Sequence, residues 1–184
     1  MTDAEFAALC GEHPDLFFEM TAEGELIVMP PTFSIVGLRN TKILSQLDVW
    51  ATRDGRGVVS DSSTGFVLPN GARRSPDAAW IRKDRVAALS PHEREGFYHL
   101  CPEFVIELRS PSDRARTLRE KMQEWIDNGA ALAWLIEPDA KRVTVFRPGV
   151  EPQVLSGANS VPGEGPVEGF TLELGPVWDP FGSA

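Results

Sequence analysis

The sequence predicts an α/β domain in which a mixed β-sheet packs against helices. Apolar residues recur at near-helical spacing over residues 35–52, which indicates a long helix lying on a sheet. Short β-prone runs follow between residues 57 and 81, and the almost uninterrupted apolar run 131–136 is typical of an interior parallel strand. The chain has 184 residues, of which 42% are hydrophobic and 24% charged, so we expect one compact domain over residues 1–184.

The N-terminal part is predicted to contain a short helix, a β-hairpin and then the long helix. Thr2-Asp-Ala-Glu5 has the spacing of a capping box, which should begin the first helix. Two β-prone runs, residues 16–21 and 25–29, predict a hairpin, and Pro30-Pro31 should end its second strand. The long helix should end at Asp54-Gly55.

The middle of the chain is predicted to form an antiparallel meander. Short strands are expected at residues 57–60 and 65–68. The Asn70-Gly71 dipeptide is suited to a tight turn with positive φ, and it leads into the strand that carries Asp77. Residues 84–98 contain Pro and Gly among polar residues, so they predict a short helix and an irregular connection.

The C-terminal part is predicted to contain a helical crossover between two strands. After an apolar strand around Glu107, Ser110-Pro-Ser-Asp113 should supply capping side chains for a helix over residues 114–128. That helix would bring run 131–136 alongside the Glu107 strand as a parallel neighbour. Further strands are expected at residues 142–146, near Val154 and at residues 170–174.

Charge is distributed unevenly along this acidic chain. The net charge is −9, yet residues 1–38 and 148–184 contribute −12 and contain no Lys or Arg, so the middle is +3. Basic residues gather around Glu107, and this group comprises Arg109, Arg114, Arg116, Arg119 and Lys121. On charge alone, a solvated helix face with ion pairs is the simpler interpretation. The net charge argues against a nucleic-acid partner, whereas the nearby carboxylates favour an anion site.

The expected cellular location follows from the lack of a membrane-spanning run and of a signal-peptide pattern. No run of eighteen apolar residues occurs, and the acidic N-terminus lacks the positive start of a signal peptide. Cys10 and Cys101 do not form a zinc-binding pattern and are expected to be structural. We therefore expect a cytoplasmic protein that has no contact with a membrane.

Two carboxylates occupy unusual positions for charged groups. Glu107 lies within the apolar run of residues 104–108, where a buried carboxylate is costly unless a cation meets it. Asp77 follows Pro76 at the start of another β-prone run. Hard oxygen ligands of this kind could hold Mg²⁺ or Mn²⁺, and a nearby ammonium could orient a water or stabilise charge at phosphorus.

Simpler interpretations of these residues remain open on local sequence. Asp77 has the setting of a turn residue after Pro76. Lys121, taken alone, has the setting of a solvated helix lysine. The chain contains no Gly-rich phosphate loop, no Gly-x-Ser-x-Gly elbow and no zincin motif, which disfavours nucleotide hydrolases, serine hydrolases and zinc proteases.

The ordered set of Pro76-Asp77, Glu107 and Lys121 resembles the PD-(D/E)XK nuclease superfamily. More narrowly, the chain is similar to the Uma-two family of restriction endonucleases over about residues 24–170. The segments that carry this resemblance are Gly24-Glu-Leu-Ile-Val-Met-Pro-Pro-Thr32, Thr64-Gly-Phe-Val-Leu68, Ser75-Pro-Asp77, Val105-Ile-Glu-Leu-Arg-Ser-Pro-Ser112, Lys121-Met-Gln-Glu-Trp125 and Trp134-Leu-Ile-Glu-Pro138.

The resemblance implies a restriction-endonuclease-like α/β core, a mixed sheet flanked by helices, and metal-dependent hydrolysis of DNA phosphodiester bonds. Asp77 and Glu107 would bind Mg²⁺ or Mn²⁺, with the backbone carbonyl of Leu108 as a further ligand. Glu25 from the N-terminal hairpin would add a third acid.

The resemblance also implies where the catalytic lysine lies. In the superfamily a lysine commonly stands two residues after the second acid, but this chain has Arg109 there. A permanently charged guanidinium is a poor proton acceptor, so the lysine role is assigned to Lys121 on the next helix.

Two hypotheses of different class follow. The first is a magnesium-dependent endodeoxyribonuclease with Asp77, Glu107 and Lys121 as catalytic residues, dimeric by analogy with its superfamily. The second is a catalytically inactive nuclease-fold protein that acts as a binding or regulatory module. The acidic ends and Arg109 favour the second hypothesis, whereas the joint retention of the three catalytic residues favours the first.

Overall fold

The computed structural model describes residues 1–29 and 33–182, in which helices cover both faces of a central β-sheet. The helices are α1 (Asp3–Glu12), α2 (Ser34–Asp54), α3 (Lys83–Ala88), α4 (Pro91–Glu95), α5 (Ala115–Asp127) and α6 (Gly175–Trp178), with short 3-10 helices at Pro138–Ala140 and Gly165–Val167. The strands are β1 (Phe17–Met20), β2 (Leu26–Met29), β3 (Gly57–Asp61), β4 (Phe66–Val67), β5 (Arg73–Arg74), β6 (Ala78–Arg82), β7 (Phe104–Leu108), β8 (Leu132–Glu137), β9 (Arg142–Arg147), β10 (Val150–Ser156), β11 (Ser160–Pro162) and β12 (Thr171–Glu173).

The central sheet has six strands in the order β10-β9-β8-β7-β6-β3. Strands β7 and β8 pair in parallel and are connected through α5, which confirms the predicted helical crossover. The other neighbouring pairs in this sheet are antiparallel. Strands β2, β1, β5 and β4 form a separate antiparallel sheet, and β11 pairs with β12.

Alternation along the central strands divides the core into two layers. Trp80, Ile106 and Trp134 face a cluster that contains the buried residues of α2 and the C-terminal segment. Val105 and Leu135 face the opposite cluster, which contains the buried residues of α5 and residues from β4 and its turn. Because side chains alternate, Glu107 shares the α5 face with Val105.

Several local predictions are confirmed. Thr2 and Glu5 form a capping box at α1, and β1 pairs with β2 as a hairpin. Helix α2 ends at Gly55, which adopts the left-handed conformation. Gly71 has a φ of 89°, as the tight turn between β4 and β5 requires. The prolines at positions 30 and 31, predicted to end β2, lie outside the described residues.

The predicted meander is wrong, because the segments divide between two sheets. Strand β3 pairs with β6 in the central sheet, whereas β4 pairs with β5 in the smaller one. Phe66 is fully buried in the cluster on the α5 face, so burying it draws β4 away from β3. Residues 84–98 contain α4 as well as α3, because Ser90 and Glu93 form a capping box around Pro91.

The predicted cap of α5 is also wrong. Arg114 is the N-cap residue, and its side chain makes no capping hydrogen bond. Asp113 instead accepts a hydrogen bond from the backbone N–H of Ser110 at 2.7 Å, which closes the turn before the helix. Among the described residues, no helix combines the length and hydrophobicity needed to cross a membrane.

Substituting Gly57 with Ala should destabilise the protein, because a Cβ at this position would overlap the indole ring of Trp80. Trp80 is only 1% exposed and cannot move without disturbing the core, so we expect a loss of about 1–3 kcal/mol in urea unfolding. Gly37→Ala is the matched control, since a Cβ there meets no atom within 4 Å. Because Ala is more stable than Gly inside a helix, Gly37→Ala should raise the free energy of unfolding by about 0.5–1 kcal/mol. Equal unfolding midpoints for the two variants would contradict the packing argument.

Candidate active site

The register of the central sheet places Asp77 beside Glu107. Ala78 pairs with Ile106 in the antiparallel β6–β7 ladder, so one further step sets Asp77 opposite Glu107. The Oδ2 atom of Asp77 accepts a hydrogen bond from the backbone N–H of Leu108 at 2.7 Å. Asp77 is thereby tied to the strand that carries the second acid.

Helix α5 brings Lys121 over these acids. Its Nζ lies 2.8 Å from Oε1 of Glu107, and Glu107 is only 4% exposed. Lys121 precedes the fully buried Met122, so it stands at the edge of the buried helix face. The three predicted site residues therefore meet in one place, although their catalytic roles stay predictions.

A third acid, Glu19 on β1, belongs to this cluster and was missed from the sequence. Its Oε1 lies 2.8 Å from Nζ of Lys121, and the residue is only 2% exposed. The same signal that identifies Glu107 was available, because Glu19 stands in the apolar run Leu-Phe-Phe-Glu-Met of residues 16–20. Glu25, which the family resemblance suggested, is exposed, and its backbone N–H contacts the Thr21 hydroxyl instead.

Basic and backbone groups hold Glu19 in place. Nη1 of Arg74 lies 3.1 Å from Oε2 of Glu19, and the backbone N–H of Ser75 donates to Oε1 at 2.9 Å. Nε of Arg74 also donates to Glu124 on α5 at 2.6 Å. Arg74 therefore bridges the smaller sheet and α5, and this bridge fixes the acid that contacts Lys121.

Trp125 has a polar role in addition to its packing. It is fully buried, and its indole Nε1–H donates to Oε1 of Glu107 at 2.9 Å. Because Lys121 and Trp125 lie four positions apart on α5, both reach the same carboxylate oxygen from consecutive turns.

Arg109, at the usual lysine position of the superfamily, takes part in a different cluster. Its Nη1 lies 3.0 Å from Oε1 of Glu137, which also accepts a hydrogen bond from Arg142 Nη2 at 2.7 Å. Hydrogen bonds from Arg142 and the charge of Arg109 lower the pKa of Glu137. Arg109 therefore balances a structural carboxylate at the ends of β8 and β9.

Burial and repulsion shape the protonation of the site. Loss of solvent raises the pKa of Glu107 to about 7 and that of Asp77 to about 6, although the positive charge of Lys121 opposes both shifts. Burial disfavours the charge on Lys121, but Glu107 and Glu19 outweigh it and raise the lysine pKa. Lys121 therefore stays protonated at neutral pH, whereas Asp77 and Glu107 lose their protons close to neutral pH.

The donor atoms of the cluster suit a hard divalent cation. Within the described residues, Oδ1 of Asp77 and Oε2 of Glu107 accept no hydrogen bond, so each acid keeps one oxygen for a ligand. Carboxylate oxygens are ligands that Mg²⁺ and Mn²⁺ prefer. No cluster of three or more His, Cys, Asp or Glu residues in ranges 1–29 and 33–182 is arranged to hold a metal. A two-carboxylate site fits Mg²⁺ when substrate phosphate completes the coordination.

Two acids, Asp77 and Glu107, and Lys121 therefore lie together at one end of a mixed sheet on an α/β fold. The chain matches the Uma2 family model, described as "Putative restriction endonuclease", over residues 3–175, and therefore belongs to that family. A comparison with curated proteins gave no match.

A solved structure confirms the fold class. The crystal structure of a protein from Anabaena variabilis, described as a "putative nuclease belonging to DUF820", superimposes with a TM-score of 0.75. The alignment covers 88% of this chain and 89% of that one, at 19% sequence identity. At this identity the similarity concerns the fold alone.

The metal-free stability should depend on pH through Glu107. The folded protein holds the Glu107 proton up to about pH 7, whereas the ordinary pKa is 4.5. Between these values Glu107 ionises in the unfolded chain but not in the folded protein, so the free energy of unfolding falls as pH rises. The Glu107→Gln variant lacks this ionisation. Its stability relative to the wild type should increase between about pH 4.5 and 7 and then level off, as measured by urea unfolding.

Asp77→Asn provides a second test of the same reasoning. Its stability relative to the wild type should increase over a lower pH range, from pH 3.8 to about pH 6, because these are the ordinary and the folded-state pKa values of Asp77. Both variants should keep the wild-type circular dichroism spectrum. A stability difference that does not change with pH would show that the two acids are not desolvated as the structure indicates.

Proposed function

We propose that this protein is a metal-dependent endonuclease that hydrolyses DNA phosphodiester bonds. The observation that carries the proposal is the convergence on one site of Asp77, which immediately precedes β6, with Glu107 of β7 and Lys121 of α5. A stable fold does not need two adjacent carboxylates with raised pKa values, because neutral residues of similar size would avoid the desolvation. Family membership supports a nucleic-acid substrate.

Asp77 and Glu107 would hold Mg²⁺ or Mn²⁺. When bound, such an ion lowers the pKa of a coordinated water and polarises a phosphoryl oxygen. The two acids must be ionised to bind it, which requires that they lose the protons that burial favours. The hydrogen bonds from Leu108 to Asp77 and from Trp125 to Glu107 fix the orientation of the carboxylates.

Lys121 would act as a positive charge and hydrogen-bond donor. Its raised pKa excludes a role as a general base at neutral pH, since the ammonium keeps its proton. Such a group stabilises the negative charge that develops on phosphoryl oxygens during hydrolysis. Glu19 positions the lysine, because its Oε1 atom lies 2.8 Å from Nζ of Lys121. Arg74 holds Glu19 in turn.

The start of α5 would provide contacts to the nucleic-acid backbone. Arg114, Arg116 and Arg119 are exposed there, and Arg116 pairs only with the exposed Glu120 on the same helix in the described structure. Exposed guanidinium groups bind phosphate through charge and hydrogen bonds. Their position on the helix that carries Lys121 would align a strand with the acids.

We also propose that the chain forms one folding unit. Strands β6, β7 and β8 contribute alternate residues to both core layers, so neither layer can form without the shared strands.

Metal binding can be tested before the nucleic-acid target is known. Titration of Mn²⁺ into the wild type by calorimetry should show binding, and Glu107→Gln and Asp77→Asn should weaken it by more than about 10-fold, as expected for loss of a ligand. Affinity should rise from pH 5.5 to pH 8 as the two acids ionise, a range that contains their pKa values of about 6 and about 7.

Glu120→Gln is the matched control, since Glu120 is an exposed acid on α5 that pairs with Arg116. This variant should bind Mn²⁺ as the wild type does. Equal affinities for wild type and Glu107→Gln, measured with a short DNA duplex present to supply phosphate, would reject the metal site and favour the inactive binding module.

Lys121→Gln should separate catalysis from metal binding. The variant should bind Mn²⁺ but cleave plasmid DNA at least about 100-fold more slowly, because the charge near the developing oxyanion is lost. Lys83→Gln, which changes an exposed lysine on α3, should cleave at the wild-type rate. Cleavage is measured by gel electrophoresis of supercoiled plasmid with Mg²⁺ or Mn²⁺. Undiminished cleavage by Lys121→Gln would exclude the assigned role.

A further inference from the structure

A cavity of about 170 Å³ lies beside the carboxylate cluster, between α1, β1 and the loop that follows β3. Its walls are rich in aromatic rings, with hydroxyl groups and two arginines among them. The lining residues on which the argument depends are Phe6, Phe17, Phe18, Phe97, Arg73 and Ser75. The proposed chemistry of hydrolysis does not use this cavity.

The size of the cavity suits one six-membered ring. An engineered apolar cavity of about 150 Å³ is known to bind benzene, so a comparable space accommodates a single six-membered ring. Phe97 lies against Gly65, where a Cβ would overlap its ring, and this close approach keeps the aromatic wall in place. A planar ligand in the cavity would contact aromatic side chains, which can stack on any nucleic-acid base.

A buried polar donor lines the same cavity. Arg73 is 7% exposed, and its guanidinium contacts Asp3, the backbone carbonyl of Met1 and the sulfur of Met20. Its Nε–H group is buried and finds no acceptor among the described residues.

The cavity is connected directly to the proposed catalytic site. Arg74 and Ser75 both line it, and both contact Glu19, which holds Lys121. Ser75 also lies two residues before Asp77. A base seated in the cavity would therefore belong to a nucleotide close to the phosphate that is attacked.

We propose that this cavity binds one unstacked pyrimidine base of the nucleic-acid substrate. Cytosine and thymine each have a single ring with a carbonyl oxygen, which matches the size of the cavity and the two arginines, Arg73 and Arg74, that line it. Phe17, which is 47% exposed, stands at the rim and would stack on the entering base. The inference rests on the proposed nuclease function for the identity of the ligand as a nucleotide, and it adds base selection beside the cleaved bond.

Binding can be measured without cleavage or metal, because a reporter thiol lines the cavity. Cys10 is partly exposed and free, whereas the other free cysteine, Cys101, is buried. Iodoacetamide labelling of metal-free protein is followed by mass spectrometry with and without added mononucleotide. Thymidine and deoxycytidine monophosphates should slow Cys10 labelling in a saturable way. Deoxyribose 5-phosphate should not, and deoxyadenosine monophosphate should do so at least about fivefold more weakly.

Phe17→Ala should raise the nucleotide concentration for half-protection at least about fivefold, since stacking on an aromatic ring contributes about 1–3 kcal/mol per base. Phe181→Ala is the matched control, because Phe181 is 70% exposed and does not line the cavity. It should leave protection unchanged.

Each other outcome overturns the inference. Protection by the sugar phosphate alone would assign the cavity to phosphate, equal protection by the purine nucleotide would reject the size selection, and no protection at all would reject base binding. Loss of Mn²⁺ binding or of cleavage in the preceding experiments leaves this result unaffected, so failure of the nuclease proposal is distinguishable from failure of the base site.

Discussion

The pairing of Lys121 with Glu19 and Glu107 is the interaction on which the rest of the site depends. Its ammonium lies 2.8 Å from an oxygen of each acid, in a place where both acids are almost completely buried. Removing one partner of a buried ion pair leaves a charge unpaired and typically costs about 3–5 kcal/mol. The lysine offsets only part of the cost of desolvation and of the repulsion from the third carboxylate, Asp77, so the pKa values of Asp77 and Glu107 remain raised. The cluster therefore combines one ammonium with three carboxylates.

The fold produces this arrangement through the parallel crossover. Because β7 and β8 are parallel, α5 must cross one face of the sheet, and alternation places Glu107 on that same face. The antiparallel β6 runs in the opposite direction, so its first residues lie beside the last residues of β7 and Asp77 meets Glu107. The smaller sheet then covers this face and contributes Glu19. Four segments distant in the sequence converge because strand direction and side-chain alternation leave few other solutions.

The sequence predicted the parts of this site that follow local rules. Glu107 is identifiable because an acid in an apolar strand is costly, and the order of Asp77, Glu107 and Lys121 resembles that of the family. Glu19 has the same local signal but lies outside the family-like segment that begins at Gly24, and the acid within that segment, Glu25, is exposed. The division of β3 and β4 between two sheets could not be predicted, since it depends on the distant residues that bury Phe66. The link from Arg74 to Glu19 and Glu124 also joins residues that are far apart in sequence, for which one sequence contains no signal.

Arg109 and Lys121 are the two basic residues nearest to Glu107 in the predicted site, and the structure gives them different partners. Glu107 and Arg109 stand two residues apart, the spacing at which the superfamily commonly has its acid and lysine, but the Arg109 guanidinium pairs with Glu137 at 3.0 Å. Glu137 is 2% exposed and also binds Arg142, so releasing Arg109 would leave this buried acid with one partner fewer at the ends of β8 and β9. An ammonium from α5 avoids this conflict, because it approaches Glu107 from above the sheet face and not along the strand. The crossover helix therefore places a positive charge at the Glu107 carboxylate without disturbing the neighbouring ion pairs of Glu137.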